Sequence, residues 1–109
     1  MAEVMFTSSF ILAKLRRGSL ILRADLSSWS SEDLELLRKN LGKTYVLVNK
    51  YMMQNGLRPI SHLVFTPSSK TVTAELALIP RLSRFFTMPS DQDLQAALNH
   101  ALSRIRETS

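Results

Sequence analysis

The sequence predicts an α+β fold: a four-stranded, mainly antiparallel sheet with two helices on one face. Apolar strand-like segments occur in two pairs, and a segment of helical periodicity follows each pair. The element order is therefore ββαββα, which packs most simply with its helices on one side of the sheet. The chain has 109 residues, too few for two independent cores, so residues 1–109 are predicted to form a single domain.

A basic turn separates the first two predicted strands. Residues 4–12 and 20–25 are apolar and rich in strand-forming residues, and Gly18 lies between them. This pattern predicts a β-hairpin with a cationic tip. An alternative is an organellar presequence, because the first 24 residues are rich in Arg and Ser and contain one acid.

The first helix is predicted from a long apolar stripe. Ser30 is the expected N-cap, acidic residues follow it, and Asn55 with Gly56 forms a typical helix stop. The β-prone residues after Gly42 leave a second possibility, a break near Gly42 followed by a strand over residues 44–53. The stripe consists of Leu34, Leu37, Leu41, Tyr45, Val48 and Met52.

The second half of the chain follows the same plan. Residues 60–66 and 71–79 are predicted strands joined by a turn, because both are apolar and the second alternates with polar residues. Pro80 ends the second strand, a loop follows, and Ser90 is the expected N-cap of the last helix. The apolar stripe of that helix consists of Leu94, Ala97, Leu98, Ala101, Leu102 and Ile105.

Two short similarities indicate an internal repeat. The segment that begins at Phe6 resembles the one at Phe65, and the helix start at Ser30 resembles the one at Ser90. The chain can therefore be divided into ββα units over residues 1–56 and 57–109. In layout alone this order resembles small single-strand-binding proteins of the PUR-repeat and Whirly type, which have more strands per repeat, and no family is assigned.

The charge distribution gives the main indication of function. The net charge is +5, acids concentrate at helix starts, and cations lie on predicted strands and loops. Such a surface favours a small, non-catalytic module that binds single-stranded or structured nucleic acid. Phosphate contacts are expected from Arg16, Arg17, Arg23, Lys70, Arg81 and Arg84, and base stacking from Trp29, Phe85 and Phe86.

Other interpretations of these residues remain open. The two Phe rings could close the end of the core, and Trp29 could pack over its edge. A different class of function is a protein-interaction adaptor or a small regulatory protein of phage or viral type. It would use the apolar stripe Tyr45, Val48 and Met52 together with the loop at Phe85, Phe86 and Met88. A homodimer is also expected, because an open sheet leaves edges that a second copy can cover.

Several function classes lack support in the sequence. There is no cysteine, which excludes disulfides, thiolate metal sites and cysteine nucleophiles. His62 and His100 are isolated, and no glycine-rich phosphate loop is present. We therefore expect no enzyme activity, cofactor or metal, no membrane span, and an intracellular, cytoplasmic location, with an organelle as the alternative.

Overall fold

The computed structural model describes residues 4–7, 19–77 and 86–108. It confirms the α+β class, with three helices and an antiparallel sheet. The strands are β1 Val4–Thr7, β2 Ser19–Asp25, β3 His62–Thr66 and β4 Thr71–Ala77. The helices are α1 Ser31–Lys39, α2 Leu41–Gln54 and α3 Asp91–Thr108.

The strand order is β1-β3-β4-β2, and every neighbouring pair is antiparallel. The predicted hairpin between the first two strands is therefore wrong, because β1 pairs with β3 whereas β2 pairs with β4. The 11 residues between β1 and β2 can connect opposite edges, since four strands span only about 14 Å. The finer ββαββα layout and its ββα repeat are not confirmed.

The predicted first helix is two helices that meet at Asn40. Asn40 has φ −120° and ψ 35°, and its side-chain amide donates to the carbonyl of Leu36 at 2.8 Å. The backbone N–H and hydroxyl of Thr44 both donate to the carbonyl of Asn40, which begins α2. The alternative strand over residues 44–53 is wrong, because α2 covers this whole range.

The predicted helix ends are confirmed. Ser30 accepts a hydrogen bond from the N–H of Asp33 at 3.1 Å, which satisfies one free donor of the first turn of α1. Ser90 and Asp93 form a reciprocal pair at the start of α3, with Ser90 N–H donating to Asp93 Oδ2 at 2.7 Å. Gly56 ends α2 with φ +69°, a left-handed conformation that favours glycine.

The core lies between the helices and one face of the sheet. Alternate residues of β2, β3 and β4 point into it, and all six residues of the predicted α3 stripe are buried. The burial of each Leu or Phe side chain stabilises the folded state by about 1.5–3 kcal/mol. The strand residues of the core are Leu22, Ala24, Leu63, Phe65, Val72, Ala74 and Leu76.

The opposite face of the sheet, here called the open face, carries the other alternate residues. Its rows, read across β2, β4 and β3, are Ile21–Glu75–His62, Arg23–Thr73–Val64 and Asp25–Thr71–Thr66. This face is the one on which sequence reasoning expected the cations.

Candidate nucleic-acid interface

The nine predicted contact residues divide into two groups. Four of them, Arg23, Trp29, Lys70 and Phe86, lie in the described part of the chain. They occupy separate places and do not form one cluster. The other five, Arg16, Arg17, Arg81, Arg84 and Phe85, lie outside the described residues.

Arg23 lies in the middle of β2 on the open face, with an exposed side chain. Its cross-strand neighbour is Thr73, and its backbone N–H donates to Asp91 Oδ1 at 3.0 Å. Asp25 and Glu75 lie on the same face. Among the described residues of β2, β3 and β4 the open face therefore carries two acids and one cation, and it does not form a continuous basic surface.

Lys70 lies at the other end of the sheet, in the turn between β3 and β4. Its φ is +53°, and its carbonyl accepts from the N–H of Leu26 at 2.8 Å. With Glu35 and Arg38 of α1 it borders a cleft of about 300 Å³. Arg38 Nε donates to Glu35 Oε2 at 3.0 Å, and this hydrogen bond holds the pKa of Glu35 below its ordinary value. An incoming phosphate would therefore meet a carboxylate beside Lys70.

Trp29 is half-buried on the helix side of the sheet and packs against the core. It borders a small space between the helices together with Leu37 and Leu98. This position fits a side chain that covers the core edge better than one that is free to stack on a base.

Phe86 is half-buried in the segment that leads to α3. Thr87 holds this segment beside the end of α2. Its N–H donates to the carbonyl of Gly56 at 2.8 Å, and its carbonyl accepts from the backbone N–H of Arg58 at 2.9 Å. Phe86 therefore leads into a segment that is held beside the end of α2.

Sequence reasoning missed two buried polar side chains near the start of β3. Arg58 is 3% exposed, and its Nη1 donates to Met88 Sδ at 3.4 Å. His62 is 7% exposed, and neither ring nitrogen has a hydrogen-bond partner within the described residues. The only sequence signal was their position among the apolar residues of this segment.

The strand register brings the ends of several strands to one end of the sheet. Thr7 pairs with His62, His62 pairs with Glu75, and Ser19 pairs with Ala77. The end of β1, the beginning of β2 and the end of β4 therefore lie together. We call this the attachment end.

The sequence segments that carry the excess positive charge join described strands at this same end. The described residues hold eight of the nine acids but only nine of the 14 Lys and Arg residues. The other five cations lie in the segments 8–18 and 78–85, which contain no acid. Segment 8–18 follows Thr7 and precedes Ser19, and segment 78–85 follows Ala77. Sequence and register together thus tie both basic segments to the attachment end.

No three His, Cys, Asp or Glu residues in the described part of the chain come together in a way that could hold a metal ion. No helix among the same residues is long and apolar enough to cross a membrane.

Comparison with known proteins identifies no relative of this chain. No protein-family model, curated protein or solved structure matches it.

Proposed function

We propose that this protein is a small basic module that binds the phosphate backbone of nucleic acid and has no catalytic role. The observation that supports this proposal is the attachment of two acid-free, arginine-containing segments at one end of the sheet. We also propose that the sheet has four strands, as the sequence predicts, with β1 as the fourth strand beside β3. Residues 1–56 and 57–109 remain candidate ββα units.

The electrostatic argument depends on how the charges are distributed. In the described residues cations and acids nearly cancel, whereas the two segments carry five cations and no acid. Cations within about 10 Å of one another act together at ordinary salt concentrations. On binding they would release counterions from a phosphate backbone. This counterion release dominates the affinity of such proteins for nucleic acid.

In this arrangement Arg16, Arg17, Arg81 and Arg84 make the main phosphate contacts. Arg23 adds one further phosphate contact from the open face. It lies four residues along β2 from Ser19, about 13 Å from the attachment end, so an extended backbone bound there can reach it. Phe85 and Phe86 follow Arg84 directly in the chain, so a ring that reaches the ligand would stack on an unpaired base. Lys70 lies at the far end of the sheet and is expected to contribute little.

Binding of labelled single- and double-stranded oligonucleotides tests the proposal. We compare the unmodified chain with Arg16→Gln/Arg17→Gln and with a control, Lys39→Gln/Lys50→Gln. The two variants lose equal charge, but Lys39 and Lys50 are exposed residues of α1 and α2. At about 50 mM salt the arginine variant should bind roughly tenfold more weakly or worse, and the control should change much less. Absence of binding by the unmodified chain, or equal loss in both variants, would contradict the proposal.

The alternative adaptor function loses part of the surface that it needs. Val48 and Met52 are fully buried in the core. Tyr45 is half-buried, its hydroxyl donates to the carbonyl of Ile60 at 3.1 Å, and burial raises its pKa. These side chains hold α2 on the sheet and are not available to a partner, so nucleic-acid binding is the better supported function.

A further inference from the structure

Ser19 is preceded by two arginines and followed by a leucine, in the sequence Arg-Arg-Gly-Ser-Leu over residues 16–20. It is the one serine or threonine of the chain with arginine at both the second and the third position before it. Kinases select substrates by charge pattern, and carboxylates in a substrate groove bind guanidinium groups through paired hydrogen bonds. The pattern is therefore typical of the substrates of basophilic serine kinases, which prefer arginine before the serine.

Ser19 lies at the end of an outer strand. It is the first residue of β2, and its pairing with Ala77 is the last pair of the ladder between β2 and β4. β2 stands last in the strand order, so within the described residues one of its sides has no neighbouring strand. Leu20, which follows the serine, is 39% exposed. Terminal pairs open at little cost in free energy, so the backbone at Ser19 can separate from β4 while the core stays folded.

We propose that Ser19 is a phosphorylation site and that its phosphorylation weakens the binding of nucleic acid. The regulatory half of this inference rests on the proposed function. A basophilic serine kinase would supply the phosphoryl group from ATP bound to Mg²⁺. The hydroxyl oxygen of Ser19 attacks the γ-phosphorus, the bond from that phosphorus to the bridging β-phosphate oxygen breaks, and ADP leaves. The hydroxyl proton goes to the catalytic aspartate of the kinase.

A phosphate at Ser19 changes the charge at the attachment end. Phosphoserine carries about 1.5–2 negative charges at pH 7. Arg16 and Arg17 lie three and two residues before Ser19, at most about 10 Å along an extended chain, so the new charge acts on both at ordinary salt concentrations. It offsets most of their positive charge, and its oxygens compete with nucleic-acid phosphate for their guanidinium groups. Segment 78–85 joins β4 at Ala77, opposite Ser19, so the phosphate also lies beside its point of attachment.

Phosphate incorporation tests the modification by itself, without nucleic acid. The full chain is incubated with a purified basophilic serine kinase, ATP and Mg²⁺, and peptide mapping by mass spectrometry locates the phosphate. The expected product carries a single phosphate, at Ser19. Ser19→Ala and Arg16→Gln/Arg17→Gln should each lose it. Ser69→Ala should keep it, because Ser69 is exposed in the turn between β3 and β4 and has no arginine in the three positions before it. Absence of phosphate at Ser19, or equal incorporation into Ser19→Ala, would overturn the proposal.

Binding of a labelled oligonucleotide tests the regulatory half. At about 50 mM salt the phosphorylated chain should bind roughly tenfold more weakly or worse than the same chain after phosphatase treatment. Ser19→Ala carried through both treatments should show no change, and circular dichroism should show a folded protein throughout. An unchanged affinity, or a loss of fold on phosphorylation, would overturn the proposal. If the unmodified chain binds no oligonucleotide, the proposed function fails together with the regulatory half, whereas phosphate at Ser19 in the mass spectra still establishes the modification.

Discussion

At the residue scale, two positions in the described part of the chain adopt the left-handed conformation that most side chains avoid. Gly56 does so where α2 ends, and Lys70 does so in the turn between β3 and β4. At Gly56 the conformation is the one expected of a glycine that ends a helix. In the structure the N–H of Leu57 donates to the carbonyl of Met52 at 2.8 Å, which closes the end of α2. At Lys70 a lysine occupies a conformation that glycine or asparagine would adopt more readily.

Gly56→Ala should therefore lower the free energy of unfolding by about 1 kcal/mol. The cost arises from the backbone alone, because a Cβ at this position would meet nothing within 4 Å. Gly56→Asn is the matched control and should cost less, because asparagine tolerates the left-handed region. Urea unfolding of both variants measures the difference, and equal costs would show that the positive φ is not the cause.

At the element scale, the acidic residues at helix starts accept hydrogen bonds from their own first turn and also bind other elements. Asp93 and Ser90 close the first turn of α3, while Asp91 reaches across to the backbone of Arg23 in β2. Arg106 near the other end of α3 pairs with Asp33 in the first turn of α1. The acids that concentrate at helix starts therefore also link these helices to the sheet and to each other.

Ser90→Ala should destabilise the protein by about 1 kcal/mol, because the N–H of Asp93 loses its hydroxyl acceptor at 3.3 Å. Ser103→Ala is the control within the same helix. Ser103 is exposed in the interior of α3, where alanine is the better helix former, so a small gain is expected. Thermal or urea unfolding distinguishes the two, and an unchanged stability for Ser90→Ala would contradict the capping role.

Elements set by local chemistry were predictable from the sequence, whereas those set by distant pairing were not. The stripe of α3, its Ser90 cap and the turn between β3 and β4 all follow from neighbouring residues. The placement of β1 beside β3 depends on competition between strands far apart in the chain, which periodicity does not report. The division of the first helix depends on the backbone of Asn40, which an unbroken apolar stripe conceals.

At the scale of the whole molecule, the candidate site was only partly predictable. Sequence alone identified the basic segments, but it placed the charge on the open face, where the two acids Asp25 and Glu75 outnumber Arg23 among the described residues. Only the strand register shows that the two segments attach at one end of the sheet. The burial of Arg58 and His62 beside that end also required the three-dimensional structure.

The central claim is that the two basic segments act together on one phosphate backbone. The most direct test is the salt dependence of duplex binding by the unmodified chain and by Arg16→Gln/Arg17→Gln/Arg81→Gln/Arg84→Gln. With four or five phosphate contacts, the logarithm of the binding constant should fall with the logarithm of salt concentration with a slope of about −4. The variant should lose roughly three to four units of that slope and most of its affinity. A variant that keeps both the slope and the affinity of the unmodified chain would contradict the claim.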